Sequence, residues 1–508
     1  MHLYTWSWVF LFCYVLIMII IGIIGNNRVT NSDDFATARS SYGPLLLALA
    51  FASTAASGAT FLGLPGLTYT YGLSTLWIAF LYPIGIYIGI LISQRSIAKF
   101  GNSSGVRSIP EYLGERYQSE FLRVSAALFS LILLFYLAGQ LVAGLVMFEM
   151  MLGIPKSWAL IITTLVLLAY ITFGGAHADI LTDGAQGLLM IFLAIMITIL
   201  FILGVGSDGL PNLVLKLKND DPQLVSSFYS GSPITASIWS YISLVVAHIP
   251  LGLLPHIGNK LWALKDESSR SRFLILAFSF GMILPAITLG GALARGIFGD
   301  DLLNSSLGAN AALPRLFIDI FPTWVAALLG VGILSAVMST ADGLVISTSQ
   351  VFANDIYRKT IAPRIHQNLS QDTLDKNVLI ISRIVTALTL VGASVLAWFT
   401  IGMNVVLLTW IGIGGFTAAL MGPLVLGCIW RGVTPAGAIF GFWFGAILFV
   451  LIHTQILSSL IYLGDWFKFY SDSPYSAATI SGLLAVIVTI FISLFTNSLP
   501  RDHLDKAF

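Results

Sequence analysis

Thirteen stretches of this chain are each apolar over enough residues to cross a lipid bilayer. They centre on residues 5–25, 44–71, 73–94, 121–149, 156–174, 185–205, 236–260, 272–297, 322–351, 378–401, 403–429, 434–453 and 475–496. A helix needs about 20 such residues to span the hydrocarbon core. Strands are excluded, because an open sheet leaves its backbone unsatisfied in lipid and the runs are too long for barrel strands. The expected fold class is therefore all-α integral membrane, with 13 transmembrane helices. Composition agrees: 57% of residues are hydrophobic and 10% charged, against roughly 45–50% and about 25% in soluble domains.

Charge sets the orientation. With the N-terminus outside, 19 of the 25 Lys and Arg residues fall on the inner side and 6 on the outer, as the positive-inside rule asks. The C-terminus is then inside. The first run, Trp6 to Gly25, has no basic segment before it and no small-residue cleavage site after it, so it reads as a retained helix rather than a signal peptide. The longest polar connections, 95–120, 207–235, 298–321 and 352–377, leave no room for a soluble domain. Residues 1–508 read as one multi-pass domain of the cell (inner or plasma) membrane, for which a monomer suffices. A net charge of +1 gives no footprint for nucleic acid. Cys13 and Cys428 both lie in apolar runs, which argues against a disulfide or a thiolate metal site. No metalloprotease, phosphate-loop or nucleophile-elbow motif occurs, and "HAD" at 177–179 matches no metal spacing. The expectation is not an enzyme and no organic cofactor.

Two runs contain clustered helix breakers. The second carries "SGATFLGLPG", with Gly58, Gly63, Pro65 and Gly66; the seventh carries "HIPLGLLPHIGNK", with Pro250, Gly252, Pro255 and Gly258. They lie five runs apart. Paired interruptions of this kind point to the binding site of a transporter built from inverted repeats, since unwinding frees carbonyls for a cation and exposes half-helix amides to an anion. The competing reading is that Gly and Pro are common in membrane helices and permit close packing.

The ninth run, "GILSAVMSTADGLVISTSQ", has a small, oxygen-bearing stripe. Ser335, Ser339 and Asp342 recur at i, i+4 and i+7, with Ala336, Ser339, Thr340 and Gly343 beside them. Hydroxyls together with freed carbonyls suit a hard monovalent cation; helix packing, with hydroxyls bonded back to the i−4 carbonyl, would give the same stripe. Asp342 lies near the inner end of this run, and Asp183, in "GGAHADILTDGAQG", opens the sixth from the same side. Together they make a second cation position or exit route, or else Asp183 is stabilised by the helix N-terminus. Further polar candidates are Gln140 in run four; Trp239, Tyr241 and His248 leading into the seventh break; and Trp410, which begins "WIGIGGF". His256 reads as structural, and "SIPEYLGERY" (108–117) as an interfacial inner helix.

These pieces together resemble the sodium/solute symporters, the family of bacterial proline, pantothenate and sialic acid carriers and of animal sodium/glucose cotransporters. The resemblance rests on "SGATFLGLPG", "SIPEYLGERY", "GGAHADILTDGAQG" and above all "AVMSTADGLVISTSQVFANDIYRK", and covers roughly residues 36 to 430. It implies a five-plus-five inverted-repeat core of helices 2–11, with repeats near 40–205 and 236–430 and peripheral helices at 5–25, 434–453 and 475–496. It further implies one Na+ held by the carbonyls of Ser53, Ala56 and Ala336 and the hydroxyls of Ser339 and Thr340. In some members a further sodium sits nearer the inside, here beside Ser339, Asp183 and Asp342. The solute would lie by Ser57, Gly58 and Thr60, facing Gln140, Trp239 and Trp410. Proline carriers of the family have an acidic residue where this chain has Ala55, and the less polar "AASGAT" points away from sugars, toward a small organic acid or amino acid.

The function expected from sequence is sodium-coupled import of a small organic solute (a monocarboxylate, amino acid or pantothenate-like molecule) by alternating access. Its partners are the solute, sodium and the bilayer. Proton coupling through Asp183 or Asp342 is the alternative, and a sensor or channel of the same fold is the rival from another class.

Overall fold

The computed structural model describes residues 2–29, 32–171, 175–365 and 369–508. Among these the only pairing of extended segments is one isolated parallel bridge between Tyr42 and Leu264; the rest of the regular structure is helical. Ten helical stretches of the described residues are long and apolar enough to cross a membrane, and an eleventh if Ile238–Leu253 and Pro255–Ala263, bent by 55°, form one span.

The run at 44–71 is divided: Pro44–Ala55 is a separate 12-residue helix, and after a π-helical turn the remainder forms Leu64–Tyr71, distinct from the helix Leu76–Ser104 of the third run. Gly72 turns the chain between them, bringing Thr60 within 3.4 Å of Tyr82; its φ is +67° and a Cβ there would overlap the Leu224 carbonyl, so only glycine suits the position. The run at 156–174 gives the helix Lys156–Ile171; residues 172–174 lie outside the described residues.

The elements that build the candidate site are numbered here in chain order. They are α1 (Leu3–Asn26), α2 (Pro44–Ala55), α3 (Leu64–Tyr71), α4 (Leu76–Ser104), α5 (Leu134–Leu152), α6 (Gly175–Leu203), α7 (Ile238–His248) and α8 (Pro255–Gly258). There follow α9 (Arg270–Ile283), α10 (Thr323–Gln350), α11 (Val405–Leu420), α12 (Pro435–His453) and α13 (Pro474–Leu494). Local sequence sets several starts. Asn404 caps the Val406 amide ahead of α11. Thr434 and Ser473 cap α12 and α13, each followed by a proline in the first turn, where its missing N–H is not needed.

Helix α2 lies at the centre of the bundle, packed by α6, α9 and α10. Ala48, Ala50, Phe51 and Ala52 are at most 1% exposed, and its small residues let neighbouring backbones approach closely. Helix α11 packs on α5, α12 and α13. The two interruptions foreseen in the sequence both occur. Helix α2 ends at Ala55, Ala56 leaves helical geometry (φ −89°, ψ 76°), and a π-helical turn follows over Ala59–Gly63. Helix α7 ends at His248, and Leu254 is extended (φ −58°, ψ 150°) before Pro255, the conformation that a following proline imposes.

Candidate functional site

The end of α2 faces the small-residue stripe of α10. Unwinding at Ala56 takes the Ser53 and Thr54 carbonyls out of the helical ladder, and hydroxyls from α10 meet them. Ser339 Oγ lies 3.1 Å from the Ser53 carbonyl and 3.4 Å from the Ala336 carbonyl. Thr340 Oγ1 donates to the Thr54 carbonyl at 2.9 Å. Ser53, Ser339 and Thr340 are fully buried, as is Ala336. Ser53, Ala336, Ser339 and Thr340, named from the sequence, thus come together, and Ala56 sits at the break itself. Thr340 meets the neighbouring Thr54 carbonyl. The donor set is all oxygen and formally neutral, which fits a small hard cation and no soft one.

A charged cluster adjoins it. Asp183 Oδ2 accepts from Thr54 Oγ1 at 2.6 Å and from Lys260 Nζ at 2.6 Å; Lys260 Nζ also reaches Asp179 Oδ2 at 2.6 Å. The Ser53 hydroxyl lies 3.0 Å from the Asp183 carbonyl. Carboxylate oxygens of Asp179, Asp183 and Asp342 lie within 4.8 Å of one another, and Asp342 accepts from the Gly343 amide at 2.8 Å. The juxtaposition of Asp183 and Asp342 read from sequence is therefore present. Asp179 and Lys260 were missed. Asp179 is one helical turn before Asp183 on the same face, a signal that the metal-spacing test on "HAD" passed over. Lys260 counted only as an inner-side charge.

On the other side of the break is a cavity of about 40 Å³, room for one or two waters. Ser57, Thr60 and Trp410 line it, with Tyr82, Tyr136, His248, Thr409 and Tyr475. The rings form a cage: His248 lies 4.4 Å from Trp410, and Trp410 4.6 Å from Tyr475. Tyr82 Oη lies 3.4 Å from Thr60 Oγ1. Among the described residues, no Asp, Glu, Lys or Arg lines this cavity. Gln140 sits behind it, its Oε1 accepting from the Gly58 amide at 2.9 Å; a Cβ on Gly58 would fall 2.8 Å from that oxygen. Trp239 is elsewhere: its indole donates to Ser476 at 3.1 Å and its ring packs on Trp466.

Comparison with known proteins gives the family. The family model described as the sodium:solute symporter family matches residues 35–445. The chain belongs to the sodium:solute symporter family. A sodium/pantothenate symporter of Haemophilus influenzae is 28% identical over 445 residues, covering 87% of each chain. A sodium/proline symporter of Salmonella typhimurium is 29% identical over 514 residues, covering 96% of this chain and 94% of its own. Among solved structures, a Na+-coupled sialic acid symporter in a substrate-bound outward-open state superposes with a TM-score of 0.73 at 18% identity, over 97% of this chain and 98% of that one. That likeness shows the fold. The chain is a multi-pass cell-membrane protein of a sodium-coupled symporter family, and the relatives it matches are transporters.

Within this symporter, the side chains that sequence reasoning missed are mostly aromatic. Tyr82 and Tyr136 stand in the middle of apolar runs, and Tyr475 opens the last one. Aromatic residues at such positions are ordinary packing or interfacial residues, so nothing in their spacing marked them out. His248 was noted for its place before the break but not for its contact with Trp410.

Proposed function

We propose that this protein carries a small, carboxylate-bearing organic solute into the cell together with Na+ by alternating access. The observation that carries the reading is the meeting of the Ser339 and Thr340 hydroxyls with the Ser53 and Thr54 carbonyls at the break in α2. Sodium is held there by the Ser53, Ala56 and Ala336 carbonyls and by both hydroxyls. The solute enters the cavity on the far side of the same break, between Ser57, Thr60 and Trp410, which at about 40 Å³ must widen to admit it, with Gln140 holding the Gly58 amide in place. Its carboxylate is received by the partial positive charge of the half-helix that starts at the break. A wall without charged side chains supports a compact solute rather than one needing an ion-pair partner, and the pantothenate and proline symporters among the relatives carry solutes of this class. Trp239, which bonds Ser476 behind the cavity wall rather than lining the cavity, has no contact with solute in this reading.

The same reading takes the core as two inverted repeats, near 40–205 and 236–430, within 13 membrane helices and with the N-terminus outside. It is supported by the two breaks lying five apolar runs apart. Because both ligands share one broken helix, sodium raises solute affinity and the solute raises sodium affinity by the same factor. Uptake of a panel of carboxylates and amino acids into proteoliposomes, with and without an inward sodium gradient, tests this. Accumulation of at least one solute only with the gradient is expected, and accumulation indifferent to sodium would overturn it. One observation favours a second reading: three buried carboxylates, Asp179, Asp183 and Asp342, stand beside the site. Uptake driven by a pH gradient in sodium-free buffer would select proton coupling through that cluster.

A further inference from the structure

The largest cavity among those described is not the solute cavity. A space of about 410 Å³ opens between the end of α4 and the segment leading into α9. Gln94, Lys99 and Asn102 line it from α4; Lys265, Arg270 and Phe273 face them. Both walls change character at this level. Helix α4 passes from the apolar "YIGILIS" to "QRSIAK" at Gln94, and the opposite chain passes from "KDESSRSR" to apolar sequence at Phe273. The cavity therefore straddles the point where each helix leaves hydrocarbon for water.

Its charge is one-sided. Lys99, Lys265 and Arg270 contribute three cations against a single anion, Glu267, which is paired with Arg270 at 2.6 Å. Lys99 Nζ donates to the neutral backbone carbonyl of Asp505 at 3.2 Å. On the apolar side of α4, Leu91 shares a helical face with the lining residue Asn102 and is 67% exposed. A basic, polar pocket with an aliphatic margin, set at the boundary between charged and apolar sequence, matches an amphiphile with a phosphate head. A soluble phosphate compound would satisfy the cations but would have no use for the adjoining aliphatic surface.

We infer that this cavity is a binding site for the headgroup of an anionic phospholipid, whose acyl chains lie along Leu91. The site is separate from the candidate cation and solute sites yet touches the helix that carries them. Phe273, in its wall, packs edge-on against Phe51 of α2 at 5.8 Å, two residues before Ser53. Each cation near a membrane surface contributes about fivefold to the affinity for anionic lipid.

The test uses the full-length protein in nanodiscs of phosphatidylcholine with a minor fraction of phosphatidylglycerol, reading the phosphatidylglycerol that co-purifies after transfer to detergent. Wild type is expected to enrich it over its share in the nanodisc, and the Lys99→Gln/Lys265→Gln/Arg270→Gln variant to lose at least about fivefold of that enrichment. A Lys218→Gln variant, altered on a remote exposed helix, should match wild type. The single Lys265→Gln variant, changed at an exposed position, covers a triple variant that fails to fold; it is expected to lose a smaller, measurable part. Equal enrichment by wild type and either cavity variant would overturn the proposal. So would displacement of the lipid by dissolved glycerol phosphate, which would assign the pocket to a soluble phosphate compound instead.

Discussion

Two buried clusters meet at the end of α2, and they hold oxygen in opposite ways. Around Ser53, Thr54, Ser339 and Thr340 the oxygens are neutral carbonyls and hydroxyls; the Ser339 and Thr340 hydroxyls rest on carbonyls, and the Thr54 hydroxyl reaches across to Asp183. A few ångströms along, Asp179 and Asp183 are formally anionic and are clamped by the ammonium of Lys260. A neutral oxygen cluster exchanges one weak partner for another at little cost, which suits an ion that must arrive and leave. A buried ion pair is stable only as a complete unit, because either charge alone is poorly tolerated in low dielectric. The first arrangement is fit to cycle; the second is fit to keep helix α6, the turn Asn259–Ala263 that follows α8, and the end of α2 in register.

The largest effect expected of any change separates the two clusters. Lys260→Met leaves Asp179 and Asp183 buried, with the ammonium gone, and should destabilise the protein by about 3–5 kcal/mol. The thermal midpoint in detergent measures it. Adding Asp179→Asn should recover part of the loss, since it removes one of the stranded charges. A midpoint unmoved by Lys260→Met would mean that the pair does not hold the fold, and the contrast with the neutral cluster would lapse.

Next in size is a steric change at the break. Gly58→Ala would bring a Cβ to 2.8 Å from Gln140 Oε1, 3.0 Å from Val337 Cγ2 and 3.1 Å from Ala143 Cβ. Overpacking of this kind costs about 1–3 kcal/mol. The backbone of Gly58 is ordinary right-handed helix, φ −54°, so the effect is contact and not conformation. Shortening the obstructing side chain should relieve it: Gly58→Ala with Gln140→Ala is expected to melt closer to wild type than the sum of the two single changes.

How far the sequence foretold this site follows from the range of the interactions. The break in α2 was readable because glycine and proline act locally, and the stripe of Ser339 and Thr340 because helical periodicity is local too. That Ser339 would fall on the Ser53 carbonyl, 286 positions away, has no signal in the spacing; it entered through the family resemblance. The tyrosines of the cavity were passed over for the same reason. Tyr82, Tyr136 and Tyr475 converge only after α4, α5 and α13 pack, and each taken alone is an unremarked aromatic in an apolar run. Lys260 was misjudged by position, because a cation near the end of an apolar run reads as an interfacial charge until the bend at Leu254 carries it back among the aspartates.

Ser339→Ala and Thr340→Ala address the neutral cluster. Each hydroxyl is worth about 1 kcal/mol where it is met by a carbonyl, so each change should raise the sodium concentration for half-maximal uptake by roughly 5–10-fold. Stability should fall by no more than the value of that one hydrogen bond. The solute KM at saturating sodium should stay near wild type, because neither hydroxyl lines the solute cavity. If instead the solute KM rose at saturating sodium, the division of the break into a cation side and a solute side would be wrong.

The smallest expected effect belongs to that solute side. Tyr82 Oη is 3.4 Å from Thr60 Oγ1, long for a hydroxyl pair, so Tyr82→Phe removes a weak contact and keeps the ring that walls the cavity. A loss within about 1 kcal/mol follows, seen as a severalfold higher solute KM at most. The sodium requirement should not move at all. Trp410→Ala at the same cavity removes the ring that holds His248 and Tyr475 and should raise KM further, again with sodium activation unchanged. The pair of variants therefore grades one wall of the cavity by hydroxyl and by ring. A shift in sodium activation by Tyr82→Phe, larger than its shift in solute KM, would mean that the hydroxyls across the break act as one network, so that the cation and solute sides are not separable.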